Sequence, residues 1–199
     1  RIEAAEPHMG TLVRVVAYAE TTRQAHTAIR KAFARVREID DRLSDYKQDN
    51  ELDRLCRAPA GTPVAVSSDL FTVLECALKL SEKTGGAFDV TIGRQTKQWR
   101  SGARPAGAGR YRQVRLDRAR RTVTLLEDGI RLDFGGIAKG YAADEVLQIL
   151  ALSGVSRALV AVSGDIAVGD APPGKDGWRI GIGGADRVET LTHCAVSTS

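Results

Sequence analysis

The stretch LDFGGIAKGYAAD, Leu132 to Asp144, constrains this chain more than any other. An apolar extended run ends in Gly135 and Gly136, and a helical pattern begins near Ile137. Two glycines let the backbone approach a ligand with no Cβ in the way, and a helix start turns unpaired N–H groups toward the same spot. Such a turn suits an anion, above all a phosphate. Asp133 and Lys139 bracket it, one accepting hydrogen bonds and the other a mobile cation. The same letters also write an ordinary tight strand-to-helix connection. They match neither the dinucleotide pattern G-x-G-x-x-G nor the P-loop with its closing Lys-Ser/Thr pair.

With 199 residues, 43% hydrophobic and 27% charged, the chain can bury one good core or two intimately packed lobes, and it reads as a soluble globular protein. No apolar run approaches the roughly 20 residues of a membrane span. Cys56, Cys76 and Cys194 are too scattered for a disulfide framework or a zinc site, and their odd number disfavours an oxidising compartment. The net charge of +4 is local: Arg94 to Arg121 holds ten Lys/Arg against Asp117 alone. With only Trp99 and Tyr111 as aromatics and no binding motif, that run reads as a solvated basic loop, centred on residues 94–110, and not as a nucleic-acid footprint.

Periodicity gives the coarse structure. Thr11 to Ala19 is rich in β-branched residues and predicts a strand; Thr21 or Thr22 then caps a long helix with Ala25, Ile29, Ala32, Phe33, Val36, Ile39 and Leu43 on its apolar face. A polar loop, Ser44 to Asn50, presents Tyr46 before a short helical ELDRLC segment. A second helix from about Asp69 to Lys83 starts at Ser67 or Ser68 and closes at Gly85-Gly86. VRL, TVTLL and IRLDF read as strands, with the turn at Glu127 to Gly129 joining the last two into a hairpin. A helix from Ile137 to about Leu152 and strands at Ala158 to Val162 and Trp178 to Ile182 follow. Mixed elements with prominent hairpins favour α+β over a doubly wound sheet.

Other signals fall away. Gly169 to Asp176, GDAPPGKD, has the G-x-x-x-x-G-K core of a P-loop, but two prolines remove donors and an Asp replaces the metal-binding hydroxyl, so it reads as a surface turn. His8, His26 and His193 form no zinc or serine hydrolase pattern. Asp89 sits in a turn just after an apolar pair, Asp133 ends a strand beside the double glycine, and Asp165 follows Ser163-Gly164 at another strand end; three such carboxylates are what a metal-assisted phosphate site needs, though each alone is an ordinary turn residue.

Taken in order, HMGT (from His8), DDRLSDYKQDNELDRL (from Asp40), TGGAFDVTIG (from Thr84), LDFGGIAKGYAAD, ALVAVSGDIAVG (from Ala158) and the terminal AVSTS resemble the ApbE-type FAD:protein FMN transferases across nearly the whole chain. The resemblance implies a single catalytic domain over 1–199 with a T-fold-like α+β architecture of mixed and antiparallel sheets packed by helices. It implies Mg²⁺-dependent transfer of FMN from FAD to a Thr or Ser hydroxyl of an acceptor protein, with AMP released. Met9, Tyr46, Ala87, Phe88, Asp89, Asp133 and Lys139 would contact FAD, and Gly136 would offer its backbone carbonyl to the metal. Such a transfer rests on positioning and charge neutralisation and needs no covalent enzyme nucleophile.

The chain departs from the family pattern at Arg94-Gln95, where a Pro and an apolar residue are usual, and at Ala161 to Asp165, where Asn-x-Gly-Gly-Asp is usual. AVSTS ends inside a family motif, and the later segment that supplies metal side chains is expected beyond Ser199. A FAD-binding protein without chemistry and a FAD pyrophosphatase giving FMN and AMP are the alternatives. By resemblance the protein is expected outside the cytoplasm, in the periplasm, with a lipid anchor to the membrane ahead of Arg1.

Overall fold

The computed structural model describes residues 1–104, 106–182 and 187–198, which form two compact units. The first comprises Arg1–Asp40 and Lys139–Ser199; the second, Asp41–Ala138, is inserted between them in sequence.

The first unit is built on an antiparallel sheet. Strands β1 (Ile2–His8), β2 (Thr11–Tyr18), β6 (Arg157–Val162), β7 (Asp165–Val168) and β10 (Cys194–Ser197) lie in the order β1-β2-β6-β7-β10. Alternation decides which side chains go where: Val13, Val15 and Ala17 of β2 are fully buried and pack with Val160 and Val162 of β6 on one face. Helices α1 (Thr22–Leu43) and α5 (Ala138–Leu152) cover that face with Ile29, Phe33, Val36, Val146 and Leu150. The Thr21 hydroxyl accepts a hydrogen bond from the Gln24 amide at 3.2 Å and so caps α1. All seven residues expected on the apolar stripe of α1 are buried. On the opposite face Val16 and Val168 meet Trp178 and Ile180 of β8 (Trp178–Ile182), which pairs with β9 (Arg187–Leu191). Strand β1 carries Pro7 and lies at the sheet edge, where a missing N–H costs no ladder bond.

The second unit holds α2 (Glu51–Arg57), β3 (Pro63–Ala65), α3 (Ser68–Lys83), α4 (Gly93–Arg100), β4 (Val114–Asp117) and β5 (Thr122–Leu125). The Ser67 hydroxyl caps α3 through the Leu70 amide, a contact worth about 1 kcal/mol. Leu70, Phe71, Val73, Leu74 and Ala77 form its buried side.

Two expectations are corrected here. The stretch after Gly93 begins with a helix, α4, where a basic loop was expected. No side chain of α4 is buried, so it lacks the apolar stripe by which a helix is recognised. The hairpin also differs: β5 pairs with β4 and, on its other edge, with β3, in the order β3-β5-β4. Both edges of β5 being filled, IRLDF cannot join it. Its alternation is real, since Ile130, Leu132 and Phe134 are 0%, 3% and 1% exposed, but its backbone pairs outside the sheet. The Asp133 amide donates to the Val90 carbonyl (2.8 Å) and the Gly93 amide to the Arg131 carbonyl (2.9 Å).

Among the described residues no helix is long and apolar enough to cross a membrane, and the three cysteines are unpaired. Burial pushes the Cys56 thiol above its ordinary pKa, whereas Cys76 is exposed. Cys76 is therefore expected to react with a thiol reagent at pH 8 in the native protein, with Cys56 reacting only after denaturation. Mass-spectrometric mapping of the alkylated peptides checks this, and native-state labelling of Cys56 at the Cys76 rate would show the packing to be looser than described.

Candidate functional site

In the second unit the double-glycine turn is held by its own carboxylate. The Asp133 side chain, 9% exposed, folds forward so that Oδ1 accepts a hydrogen bond from the Gly135 amide at 2.7 Å. A Cβ on Gly135 would lie 2.9 Å from that oxygen, so glycine is what allows the carboxylate to sit there. A Cβ on Gly136 would stand 3.2 Å from the ring of Phe88, which packs directly on the turn. The Ile137 and Ala138 amides both donate to the Phe134 carbonyl, closing the turn that leads to α5.

Arg100, at the end of α4, ties this turn to Tyr46. Its guanidinium lies 4.5 Å from the Tyr46 ring centroid, 2.5 Å from Asp45 Oδ2 and 3.6 Å from Asp133 Oδ2. Burial opposes its charge, but the Asp45 hydrogen bond and the two carboxylates outweigh that and hold its pKa above the ordinary arginine range. The stacked cation fixes one face of a ring that is otherwise 72% exposed. Tyr46, Phe88, Asp133 and Gly136 are thus brought together in one unit, with Arg100 as a member that motif reading missed. Its signal was present: Arg94, Lys97 and Arg100 recur every third residue, which on a helix means one side.

Ala87 and Asp89 belong to the same connection. The Ala87 amide donates to the Thr84 carbonyl beyond α3, where Gly85 and Gly86 adopt positive φ. Asp89 is 7% exposed, and its oxygens are engaged: Oδ1 accepts from the Thr91 amide (2.8 Å) and hydroxyl (2.7 Å), and Oδ2 from the Tyr111 amide (3.2 Å). A cavity of about 680 Å³ opens beside Tyr46, lined also by Asp53, Arg57, Arg94, Lys97 and Arg131.

In the first unit, Met9 and Gly10 form the two-residue β1–β2 turn with φ of 52° and 69°, the mirror-image geometry that suits a hairpin. A non-glycine residue there is uncommon. Lys139 stands in the first turn of α5, and among the described residues no carboxylate pairs with it. Asp165 accepts a hydrogen bond from the Ser197 hydroxyl at 2.5 Å.

Among the described residues no three His, Cys, Asp or Glu side chains cluster as metal ligands. Asp89 is held by the Thr91 amide and hydroxyl and the Tyr111 amide, and Asp133 by an amide and a guanidinium. These residues do not fit Mg²⁺ by themselves, since that ion demands near-octahedral oxygen coordination.

The glycine-paired turn held by a carboxylate and the cationic cavity beside it are carried on an α+β fold. The chain belongs to the ApbE family, whose model matches residues 9–199. The FAD:protein FMN transferase of Treponema pallidum is 33% identical over 180 residues, covering 81% of this chain and 50% of that protein. The Vibrio cholerae enzyme of the same name is 32% identical over 162 residues, covering 73% and 47%. The chain thus spans about half the length of the curated relatives it matches. The crystal structure of the ApbE protein of Thermotoga maritima superposes with a TM-score of 0.85 at 27% identity, covering 100% of this chain and 70% of that one. A variant of the Vibrio cholerae flavin transferase ApbE does so at 0.90 with 24% identity, covering 100% and 73%, a likeness that speaks for the fold. The α+β architecture expected from the sequence is the one observed.

Proposed function

We propose that this protein takes part in FAD:protein FMN transfer, moving FMN from FAD to a Thr or Ser hydroxyl of an acceptor protein. The observation that carries the reading is the run of contacts Tyr46–Arg100–Asp133–Gly135, which places a fixed aromatic face and a carboxylate-held glycine turn on one side of the second unit. The names of its relatives support it.

In the reaction the acceptor oxygen bonds to the FMN phosphorus, the phosphoanhydride bond to AMP breaks, and the hydroxyl proton is lost. The chain's own part is positional. Tyr46 offers its open ring face to a flat heterocycle, Arg100 keeps that ring in place, and Asp133 shapes the glycine turn so that its backbone is reachable. Met9, Ala87, Phe88 and Lys139 complete the proposed FAD contacts, Lys139 as a cation available to phosphate oxygens. Asp89 contributes by holding the connection that carries Phe88. Mg²⁺, if bound, would supply charge neutralisation, with the Gly136 carbonyl as one proposed ligand. We further propose a periplasmic, membrane-associated setting for the whole protein.

The lack of a carboxylate cluster among the described residues favours a second reading, a FAD-binding protein without chemistry. Incubation of an acceptor fragment with FAD and Mg²⁺, followed by mass spectrometry, separates the readings. An added FMN mass on the acceptor supports transfer, free FMN with AMP means pyrophosphatase action, and intact FAD leaves binding alone.

A further inference from the structure

Arg94, Lys97 and Arg100 stand three residues apart along α4, and all line the 680 Å³ cavity of the second unit. The lining carries six basic side chains against two acidic ones, Asp45 and Asp53. Four of the six are engaged. Lys47 pairs with Asp41 at 2.7 Å, Arg57 with Asp49 and Asp53, Arg131 with Asp53 at 3.1 Å, and Arg100 with Asp45 and Asp133. Among the described residues no hydrogen bond or ion pair engages the side chains of Arg94 and Lys97. The Arg94 guanidinium rests against Gly129, where a Cβ would lie 3.1 Å from it, so the bare glycine leaves it room.

We propose that Arg94 and Lys97 form a phosphate-binding site in this cavity, built for the pyrophosphate of a nucleotide. Charge bookkeeping selects these two over Arg100. One guanidinium between two carboxylates has no surplus charge to offer an anion, so Arg100 is a positioning residue for Tyr46 and Asp133. Arg94 and Lys97, one helical turn apart, present a planar fork and a compact ammonium with nothing opposite them. Uncompensated like charges at this spacing repel and reduce helix stability, a cost that an anion between them reverses. Pyrophosphate, with oxygens on two phosphorus atoms, can meet both cations at once, as a single carboxylate cannot. The volume is that of a nucleotide-sized ligand site. The assignment of the nucleotide as FAD rests on the reading under Proposed function; the phosphate site does not.

Equilibrium titration of the 199-residue chain with ADP, AMP, FAD and riboflavin tests it, using Arg94→Ala/Lys97→Ala and, as a control, Arg118→Ala on an exposed pair with Glu75. The double variant is expected to lose roughly thirtyfold in affinity for ADP and FAD, the scale of two charge-assisted hydrogen bonds partly screened by solvent, with riboflavin binding and melting temperature unchanged. Arg94→Lys/Lys97→Arg should retain most of the affinity. AMP, with one phosphate, is expected to bind more weakly than ADP and to lose less in the double variant; AMP binding as tight as that of ADP and lost equally would overturn the pyrophosphate assignment. ADP binding that disappears in the double variant while riboflavin and FAD show no flavin-specific affinity keeps the phosphate site and removes the flavin reading. Absence of ADP binding to the unaltered chain, or equal ADP affinity in the double variant, overturns the proposal.

Discussion

Replacing Asp133 with alanine is expected to weaken FAD binding by about ten- to a hundredfold, the worth of one or two hydrogen bonds to a charged group. Asp165→Ala should cost less than about threefold on the same scale. The difference follows from what each carboxylate holds. Asp133 is nearly buried, fixes the Gly135 amide and faces Arg100. Its loss leaves that amide unsatisfied and gives Arg100 one carboxylate instead of two, freeing the guanidinium to shift from the Tyr46 ring. Asp165 accepts a hydrogen bond from Ser197 near the sheet edge, a contact that water can replace. Asp133→Asn should fall between, because the amide oxygen can still accept from Gly135 while the charge opposite Arg100 is gone. Flavin fluorescence titration reads all three; equal losses at Asp133 and Asp165 would remove the double-glycine turn from the centre of the site.

Much of this architecture was legible because burial and period agree. Residues Ala25 to Leu43 of α1 repeat at three and four and bury accordingly, and the Ser67 cap and the glycines after Lys83 bound α3 as read. Reading failed where a periodic signal was absent or had another cause. Helix α4 buries nothing, so only its basic residues mark a face, and three cations on one side look like a solvated loop until the cavity beside them is seen. Residues 130–134 alternate apolar and polar in sequence, but Asp133 is buried with its neighbours and the segment joins no ladder; the β3–β5 pairing that excludes it joins residues some 60 apart, which no local pattern announces. For the site, the glycine turn was legible because its backbone demand is written in glycine. Arg100 was not, because its role depends on Asp45, Tyr46 and Asp133, which are distant in sequence. A carboxylate near a strand end looks free in the sequence until its hydrogen bonds are known: Asp89 accepts from the Thr91 amide and hydroxyl and from the Tyr111 amide.

Asp89 is the basis of the second large effect, Gly109→Ala. A Cβ at residue 109 would stand 2.1 Å from Asp89 Oδ2 and 2.7 Å from its Cβ, so no small rotation of the carboxylate relieves the clash. The aspartate would have to leave its place. With it go the hydrogen bonds from the Thr91 amide and hydroxyl and from the Tyr111 amide, and the Thr91 oxygen is displaced as acceptor for the Arg110 amide. Two of those bonds, from the Tyr111 amide to Asp89 and from the Arg110 amide to Thr91, tie the segment carrying Phe88 to residues 110–111, and the other two brace Asp89 itself, in surroundings where unsatisfied groups are costly. The expected loss is about 3 kcal/mol of stability in urea unfolding, from overpacking and orphaned polar groups together. Gly140→Ala is the contrast: its Cβ would meet nothing within 4 Å in α5, and alanine there should stabilise by up to about 1 kcal/mol. Because the clash involves the Asp89 Cβ as well as its carboxylate, only removal of the whole side chain relieves it: the double variant Asp89→Gly/Gly109→Ala should cost little more than Asp89→Gly alone, a coupling that additivity would not give. If Gly109→Ala unfolds at the same urea concentration as the unaltered protein, the backbone at residue 109 can yield without disturbing Asp89, and the tie between the two segments is weaker than its two hydrogen bonds indicate.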